Sequence, residues 1–98
     1  MNIITEKNND LLTIALEGEL DALSAPLLDK EINDKLGDCN EIVFDMEKLE
    51  YISSAGLRVL LTTQKLMNER GSMKLKNVTD AVMDVFDITG FSDILSIE

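Results

Sequence analysis

Residues 45–61 read DMEKLEYISSAGLRVLL, and they decide how the rest of the chain is interpreted. The preceding Ile42-Val43-Phe44 is a continuous apolar run, typical of a central strand buried on both faces, so we predict a strand over Glu41 to Asp45. A loop over Met46 to Ser53 follows, and two serines and a glycine then open an apolar helix from about Ser54 to Arg70. Such a helix start leaves backbone N–H groups without partners, so it suits a serine cap or an anionic group.

The helix after the two serines has one polar stripe. At 100° per residue its polar positions gather in a narrow band, and apolar positions fill most of the remaining circumference. The band comprises Arg58, Thr62, Lys65 and Glu69, and the apolar positions are Leu57, Val59, Leu60, Leu61, Leu66 and Met67. This pattern predicts a largely buried helix that exposes a single stripe and ends at Gly71.

The N-terminal part of the chain predicts a β-hairpin. Apolar and polar residues alternate from Leu11 to Leu20, with Leu12, Ile14, Leu16 and Gly18 on the same face. The β-prone segment from Ile3 to Lys7 precedes it, and Asn8-Asn9-Asp10 has the composition of a turn between the two strands.

A first helix follows the hairpin. Ser24 is a candidate N-cap, and Pro26 lies in the first turn, where its missing N–H costs nothing. The core stripe is Leu28, Ile32 and Leu36, while Asp29, Lys30, Asn33 and Asp34 face water and Gly37 ends the helix in the left-handed conformation.

The C-terminal part predicts a short strand and a third helix. Met73 to Lys76 alternates, and Thr79 can cap a helix that carries Val82, Val85 and Phe86 and ends at Gly90. Ile94 to Ile97 fits either a weak strand or a terminal helix. The order predicts a single α/β domain over residues 1–98, with a mixed sheet (an N-terminal hairpin plus parallel strands) and three to four helices. Sites in such sheets lie beyond the carboxyl ends of the strands.

Composition excludes several classes of function. The net charge of −10 and the pI near 4.3 argue against binding to nucleic acid or to an acidic membrane, and favour a protein partner with a basic or mixed surface. The single cysteine, Cys39, cannot form an internal disulfide. Neither a signal peptide nor a membrane-spanning run is found, so we expect a small cytoplasmic protein.

The two serines do not look catalytic. Ser53-Ser54-Ala55-Gly56 is not a G-x-S-x-G elbow, and the chain contains no histidine to act as a base. Glycine-rich phosphate loops and metal-ligand clusters are also missing, so we expect no enzyme activity, no metal and no cofactor. Two features go beyond simple capping. Gly56 costs the helix about 0.5–1 kcal/mol relative to alanine, which is tolerated where another group must approach the backbone closely. Arg58 lies one turn after Ser54, on the same side of the helix.

The chain resembles the STAS domain, and most of all the stand-alone anti-sigma factor antagonists of bacteria. The resemblance rests on Gly18-Glu19-Leu20-Asp21, Ser24-Ala25-Pro26-Leu27, Asp45, the segment from Tyr51 to Leu57, and Thr89-Gly90-Phe91. It implies that the chain binds an anti-sigma factor that is also a serine kinase, and so frees the sigma factor. Phosphorylation at the helix start would break the complex, and a PP2C-type serine phosphatase would reverse it.

Aligning on Gly56-Leu57 places the implied phosphoacceptor at Ser54, with Ser53 as second choice. Ser53 stands where this family commonly has aspartate, and Arg58 stands where it often has a small residue. The implied partner-binding residues are Asp21, Ser24, Ser53, Ser54, Gly56, Leu57 and Arg58. For Asp21 and Asp45, loop or turn capping is an equal alternative. The alternative function is a STAS subunit of a lipid-transport or signalling assembly that is not phosphorylated.

Overall fold

Four strands and three α-helices account for most of the computed structural model, which covers all 98 residues. In chain order they are β1 (Asn2–Asn8), β2 (Leu11–Leu20), α1 (Ala25–Lys35), β3 (Glu41–Ile52), α2 (Ser54–Arg70), β4 (Ser72–Lys76) and α3 (Asp80–Thr89). A 3₁₀ turn over Phe91–Asp93 follows α3. None of the helices has the length and apolar character that crossing a membrane requires.

The sheet is mixed, as predicted. Its strand order is β1-β2-β3-β4, with β1 antiparallel to β2 and the other pairs parallel. The hairpin is confirmed, with Asn8 opposite Leu11 and a tight turn at Asn9, whose φ is +56°.

One face of this sheet carries the core. The register places β2, β3 and β4 side chains in rows, such as Ile14 beside Phe44 and Phe44 beside Leu75, and all of these are fully buried. Buried side chains of the three helices join the same cluster. The prediction that β3 is buried on both faces is wrong, because Val43 on the opposite face is only half-buried. The helices therefore cover one face of the sheet and leave the other partly open.

Strand β3 is much longer than predicted, and the predicted loop over residues 46–53 is wrong. The strand continues through Ile52, and in its second half Met46, Leu49 and Ile52 are buried at intervals of three residues. The pairing with β2 explains this interval: β3 has an extra residue between Asp45 and Lys48 and another between Leu49 and Tyr51. Each bulge resets which face the side chains occupy.

Asp45 consequently lies inside β3 and not at its end. Its Oδ1 accepts hydrogen bonds from the Glu47 N–H at 3.1 Å and from Asn77 Nδ2 at 3.2 Å. Partial burial raises the pKa of Asp45, but the hydrogen bonds from Asn77 and Glu47, together with the nearby Lys76 and Lys48, hold that pKa below its ordinary value. Asp45 therefore fastens β3 to the residue after β4, roughly 20 Å from the start of α2.

The first helix has the predicted core stripe and the predicted N-cap residue. Leu28, Ile32 and Leu36 are buried, and Gly37 follows with a φ of +48°. Ser24 occupies the N-cap position, but its side chain makes no capping hydrogen bond to the helix. The predicted N-cap residue is therefore confirmed, although its hydroxyl bonds elsewhere.

The exposed side of α2 is broader than the predicted stripe. Leu66 is 38% exposed and Leu61 is only half-buried, whereas Thr63 and Gln64 are buried. The reason is that α2 packs on one face of the sheet beside α1, so only the side chains that face the sheet and α1 are buried.

The predicted start and end of α3 are confirmed, and the tail matches neither of its two predicted forms in full. Thr79 Oγ1 accepts from the Val82 N–H at 3.4 Å, and Gly90 ends α3 with a φ of +80°. The tail forms neither a full strand nor a helix. It makes a single parallel bridge between Ile97 and Leu75 at the edge of β4. In this bridge the Leu75 N–H donates to the Ser96 carbonyl, and the Glu98 N–H donates to the Leu75 carbonyl.

Candidate functional site

The candidate site lies where β2 and β3 end together. Leu20 and Ile52 are register partners at the carboxyl ends of these parallel strands. One residue further on, the Ser53 N–H donates to the Leu20 carbonyl at 2.8 Å. This hydrogen bond joins the loop that precedes α1 to the loop that precedes α2, so Asp21 and Ser53 follow strand ends that lie side by side.

The two serines at the start of α2 have different environments. Ser53 is the N-cap, with extended backbone, and its Oγ accepts from the Gly56 N–H at 3.4 Å. Ser54 is the first helical residue, is exposed, and makes no side-chain hydrogen bond. A hydroxyl that caps a helix is held against the backbone, whereas the Ser54 hydroxyl is available to a partner.

Arg58 is exposed one turn further along the same side of α2. It takes part in none of the ion pairs of the structure, which join Lys30 to Asp34, Lys48 to Glu17 and Lys74 to Glu98. Ser54 and Arg58 are thus both exposed and four residues apart on α2, a spacing that places them on the same side of the helix.

Gly56 and Leu57 face inward. A Cβ on Gly56 would lie 2.7 Å from Leu20 Cγ and 2.9 Å from Ile52 Cγ1, and Leu57 is 6% exposed. The close approach inferred from the sequence is real, but the approaching groups belong to the chain's own core. These two residues therefore position the start of α2 against the core.

Asp21 and Ser24 form a hydrogen-bonded turn beside the two serines. Asp21 Oδ1 accepts from the N–H groups of Leu23 and Ser24, both at 3.0 Å. Ser24 Oγ accepts from the Asp21 N–H at 2.9 Å and donates to the Glu19 carbonyl at 2.8 Å. The Ser24 backbone and side-chain hydrogen bonds hold the pKa of Asp21 below its ordinary value.

Asp21 and Ser24 differ in how exposed they are within this turn. Ser24 is buried and its hydroxyl is hydrogen-bonded to Asp21 and Glu19, so it fixes the loop. Asp21 is half-buried, and its carboxylate stays ionised while it holds the loop. Loop capping, one of the two interpretations of Asp21, is thus present in the structure.

Two exposed leucines beside this turn were not among the predicted partner-binding residues. Leu23 is 86% exposed and Leu27 is 57% exposed, and with Met1 they border a shallow groove that also contains Glu19, Asp21 and Glu50. The sequence did offer a signal: Leu23 and Leu27 lie outside the stripe that Leu28 and Ile32 define. Exposed apolar side chains next to carboxylates fit a partner that presents apolar and basic groups together.

The site brings together a serine hydroxyl, a guanidinium and carboxylates. No histidine is present, and no group of three or more acidic, cysteine or histidine side chains is arranged to hold a metal ion. What the site offers is an exposed hydroxyl at a rigid helix end, with a free arginine behind it and an acidic, apolar groove near it.

The comparisons with known proteins agree on one family. The STAS domain model matches residues 2–98. The anti-sigma-B factor antagonist of Listeria monocytogenes is 35% identical over 104 residues, covering 100% of this chain and 90% of the relative. The anti-sigma-B factor antagonist of Bacillus subtilis is 30% identical over 98 residues, covering 99% of this chain and 90% of the relative.

Solved structures show the same fold at lower identity. An anti-sigma factor antagonist from Mycobacterium paratuberculosis superposes with a TM-score of 0.87 at 21% identity, over 98% of this chain and 83% of that one. The unphosphorylated form of SpoIIAA gives a TM-score of 0.84 at 21% identity, over 99% of this chain and 88% of that one. Since the family model spans nearly the whole sequence and relatives of at least 30% identity cover it almost end to end, this chain belongs to the STAS domain family and is a homologue of the bacterial anti-sigma factor antagonists.

Proposed function

We propose that this chain is itself an anti-sigma factor antagonist that is switched by phosphorylation of Ser54. In its unphosphorylated form it binds an anti-sigma factor serine kinase and thereby frees the sigma factor, and phosphorylated Ser54 breaks that complex. The observation that carries the proposal is the exposed, unengaged hydroxyl at the first position of α2. Its homologue SpoIIAA has a phosphorylated form of known structure, which supports the same chemistry here.

The choice of Ser54 over Ser53 follows from the capping geometry. Ser53 Oγ accepts a hydrogen bond from the Gly56 N–H, so a phosphoryl group there would disturb the cap, whereas Ser54 is exposed and makes no such bond.

The phosphoryl transfer itself needs only the Ser54 hydroxyl from this chain. Ser54 Oγ attacks the γ-phosphorus of the kinase's ATP, and the bond to the β,γ-bridging oxygen breaks. ADP leaves, and a base of the kinase takes the hydroxyl proton. A PP2C-type phosphatase would restore the serine by adding water and releasing inorganic phosphate.

The partner surface extends from Ser54 to the groove near Asp21. Leu23 and Leu27 provide apolar contact area, and the carboxylates beside them favour a partner with basic side chains. Gly56 and Ser24 support this surface from below by holding α2 and the preceding loop in place.

The energy needed for the switch is within reach of one phosphate. Phosphorylation adds about −1.5 to −2 charge at neutral pH. An unpaired charge enclosed in an interface costs on the order of several kcal/mol, and reversing an occupancy of 99:1 to 1:99 needs about 5.5 kcal/mol. Exclusion of the partner by charge and bulk is therefore sufficient, and we expect the fold to be the same in both forms.

Calorimetric titration with the purified anti-sigma factor kinase of the source organism tests the proposal. Ser54→Asp should weaken binding by at least tenfold with an unchanged far-UV spectrum, and Ser53→Asp provides the matched control one residue away. Wild-type affinity in Ser54→Asp would contradict the switch. A wild-type chain that does not bind the kinase at all would favour the alternative of a STAS subunit that is not phosphorylated.

A further inference from the structure

We infer that a phosphate on Ser54 takes Arg58 as an intramolecular counter-ion, so that phosphorylation also withdraws this cation from the partner surface. This inference rests on the proposed function and adds a specific residue to it. Its basis is that Arg58 is an exposed cation without an ion-pair partner, in a chain of net charge −10, one helical turn from the proposed acceptor.

The geometry of α2 brings the two side chains together. In a helix, residues at i and i+4 have Cβ atoms about 5–6 Å apart, and side chains lean toward the N-terminus. Arg58 therefore leans over the turn that begins with Ser54. An acid placed four residues before a base is the favourable orientation of such a pair, and a guanidinium can bind two phosphate oxygens at once.

No other group on α2 competes for Arg58. The only carboxylate of the helix is Glu69, eleven residues further on, which is about 16 Å along the helix axis. Lys65, the next exposed cation on the helix, is equally far from Ser54. The cap itself carries no charge that would repel a phosphate, because Ser53 is neutral.

The pairing leaves the switch intact. A phosphate of about −2 paired with one guanidinium keeps a residual charge of about −1 and its full bulk at the helix end. In the unmodified form, Arg58 is free to meet a carboxylate of the partner. In the phosphorylated form that contact is lost together with the hydroxyl, so one modification removes two features of the surface.

Phosphorus NMR on the intact chain, with phosphoserine genetically encoded at position 54, tests this pairing without any kinase. At low salt, the apparent second pKa of the phosphate should be about half a unit lower with Arg58 present than in Arg58→Gln. Arg58→Lys should give an intermediate value, since it keeps the charge and loses the two-point contact. About 1 M salt should abolish the difference.

Lys65→Gln is the matched control, because it removes a cation of the same helix that lies out of reach. Equal phosphate pKa values in the parent and in Arg58→Gln would overturn the inference, as would an equal shift in Lys65→Gln. Neither result would affect the proposed function, which depends on kinase binding. Conversely, a kinase that leaves Ser54 unmodified would defeat the proposed function whatever the phosphate titration shows.

Discussion

Replacing Gly56 with alanine separates two explanations of this glycine. If the glycine serves only to let a partner approach, the free chain should gain about 0.5–1 kcal/mol in stability, because alanine favours helix. The structure predicts the opposite. The new Cβ would lie 2.7 Å from Leu20 Cγ and 2.9 Å from Leu20 Cδ2 and Ile52 Cγ1, and both neighbours are buried.

The expected magnitude is the difference between two opposing effects. Overpacking a well-filled core costs about 1–3 kcal/mol, and the helix propensity of alanine offsets about 0.5–1 kcal/mol of this. The two ranges leave a net loss of up to about 2.5 kcal/mol in the free energy of unfolding, and their mid-range values give about 1.25 kcal/mol. For a domain of this size, the mid-range loss is a fall in Tm of about 5–10 °C.

Urea unfolding followed by circular dichroism measures this difference, with an unchanged m-value as the sign of a two-state comparison. The Leu20→Ala background is the control, because truncation removes two of the three close contacts. There, the penalty of Gly56→Ala should shrink markedly. Equal or greater stability of Gly56→Ala in the wild-type background would refute the packing account.

Three further predictions concern the surroundings of Ser54. Asp21→Ala should lower Tm at pH 7, more than Asp21→Asn does. Because folding lowers the pKa of Asp21 from its ordinary value of 3.8, the carboxylate stabilises the fold above that pH. The Tm difference between wild type and Asp21→Asn should therefore fade as the pH falls below 3.8, as thermal melts at several pH values would show. Ser53→Ala should cost about 0.5–1 kcal/mol by loss of the cap and leave Ser54 open to phosphorylation, as denaturation and phosphate incorporation would show. Leu23→Ala with Leu27→Ala should weaken kinase binding about tenfold in calorimetry, while Ile88→Ala, as exposed as Leu23 but on α3, should not.

Regular periodicity made much of the fold predictable. The alternation in β2 and the four-residue spacing of Leu28, Ile32 and Leu36 each match one structural period, and both elements appear as expected. The glycines at positions 37 and 90 marked helix ends correctly because their positive φ angles suit that residue.

The prediction failed where periodicity is broken. In the second half of β3, two bulges space Met46, Leu49 and Ile52 by three residues, and the acidic residues between them disfavour a strand, so this segment looks like a loop. The Ser24 hydroxyl bonds to Asp21 and Glu19 and not to an N–H of α1, and this pairing depends on positions in three dimensions that the sequence does not give.

The start of α2 was more predictable than the roles of the residues around it. The serine pair before an apolar helix marked this start, but which hydroxyl caps the helix depends on backbone angles that the sequence leaves open. Likewise, Gly56 signalled a close approach without showing that its neighbours are Leu20 and Ile52.

Mapping the phosphorylated residue tests the central claim most directly. The chain is incubated with ATP and the anti-sigma factor kinase of its source organism, digested, and analysed by tandem mass spectrometry, with Ser54→Ala and Ser53→Ala treated in parallel. We predict a single phosphate on Ser54 that Ser53→Ala retains and Ser54→Ala lacks. A phosphate on Ser53, or no phosphate on the wild-type chain, would contradict the assignment.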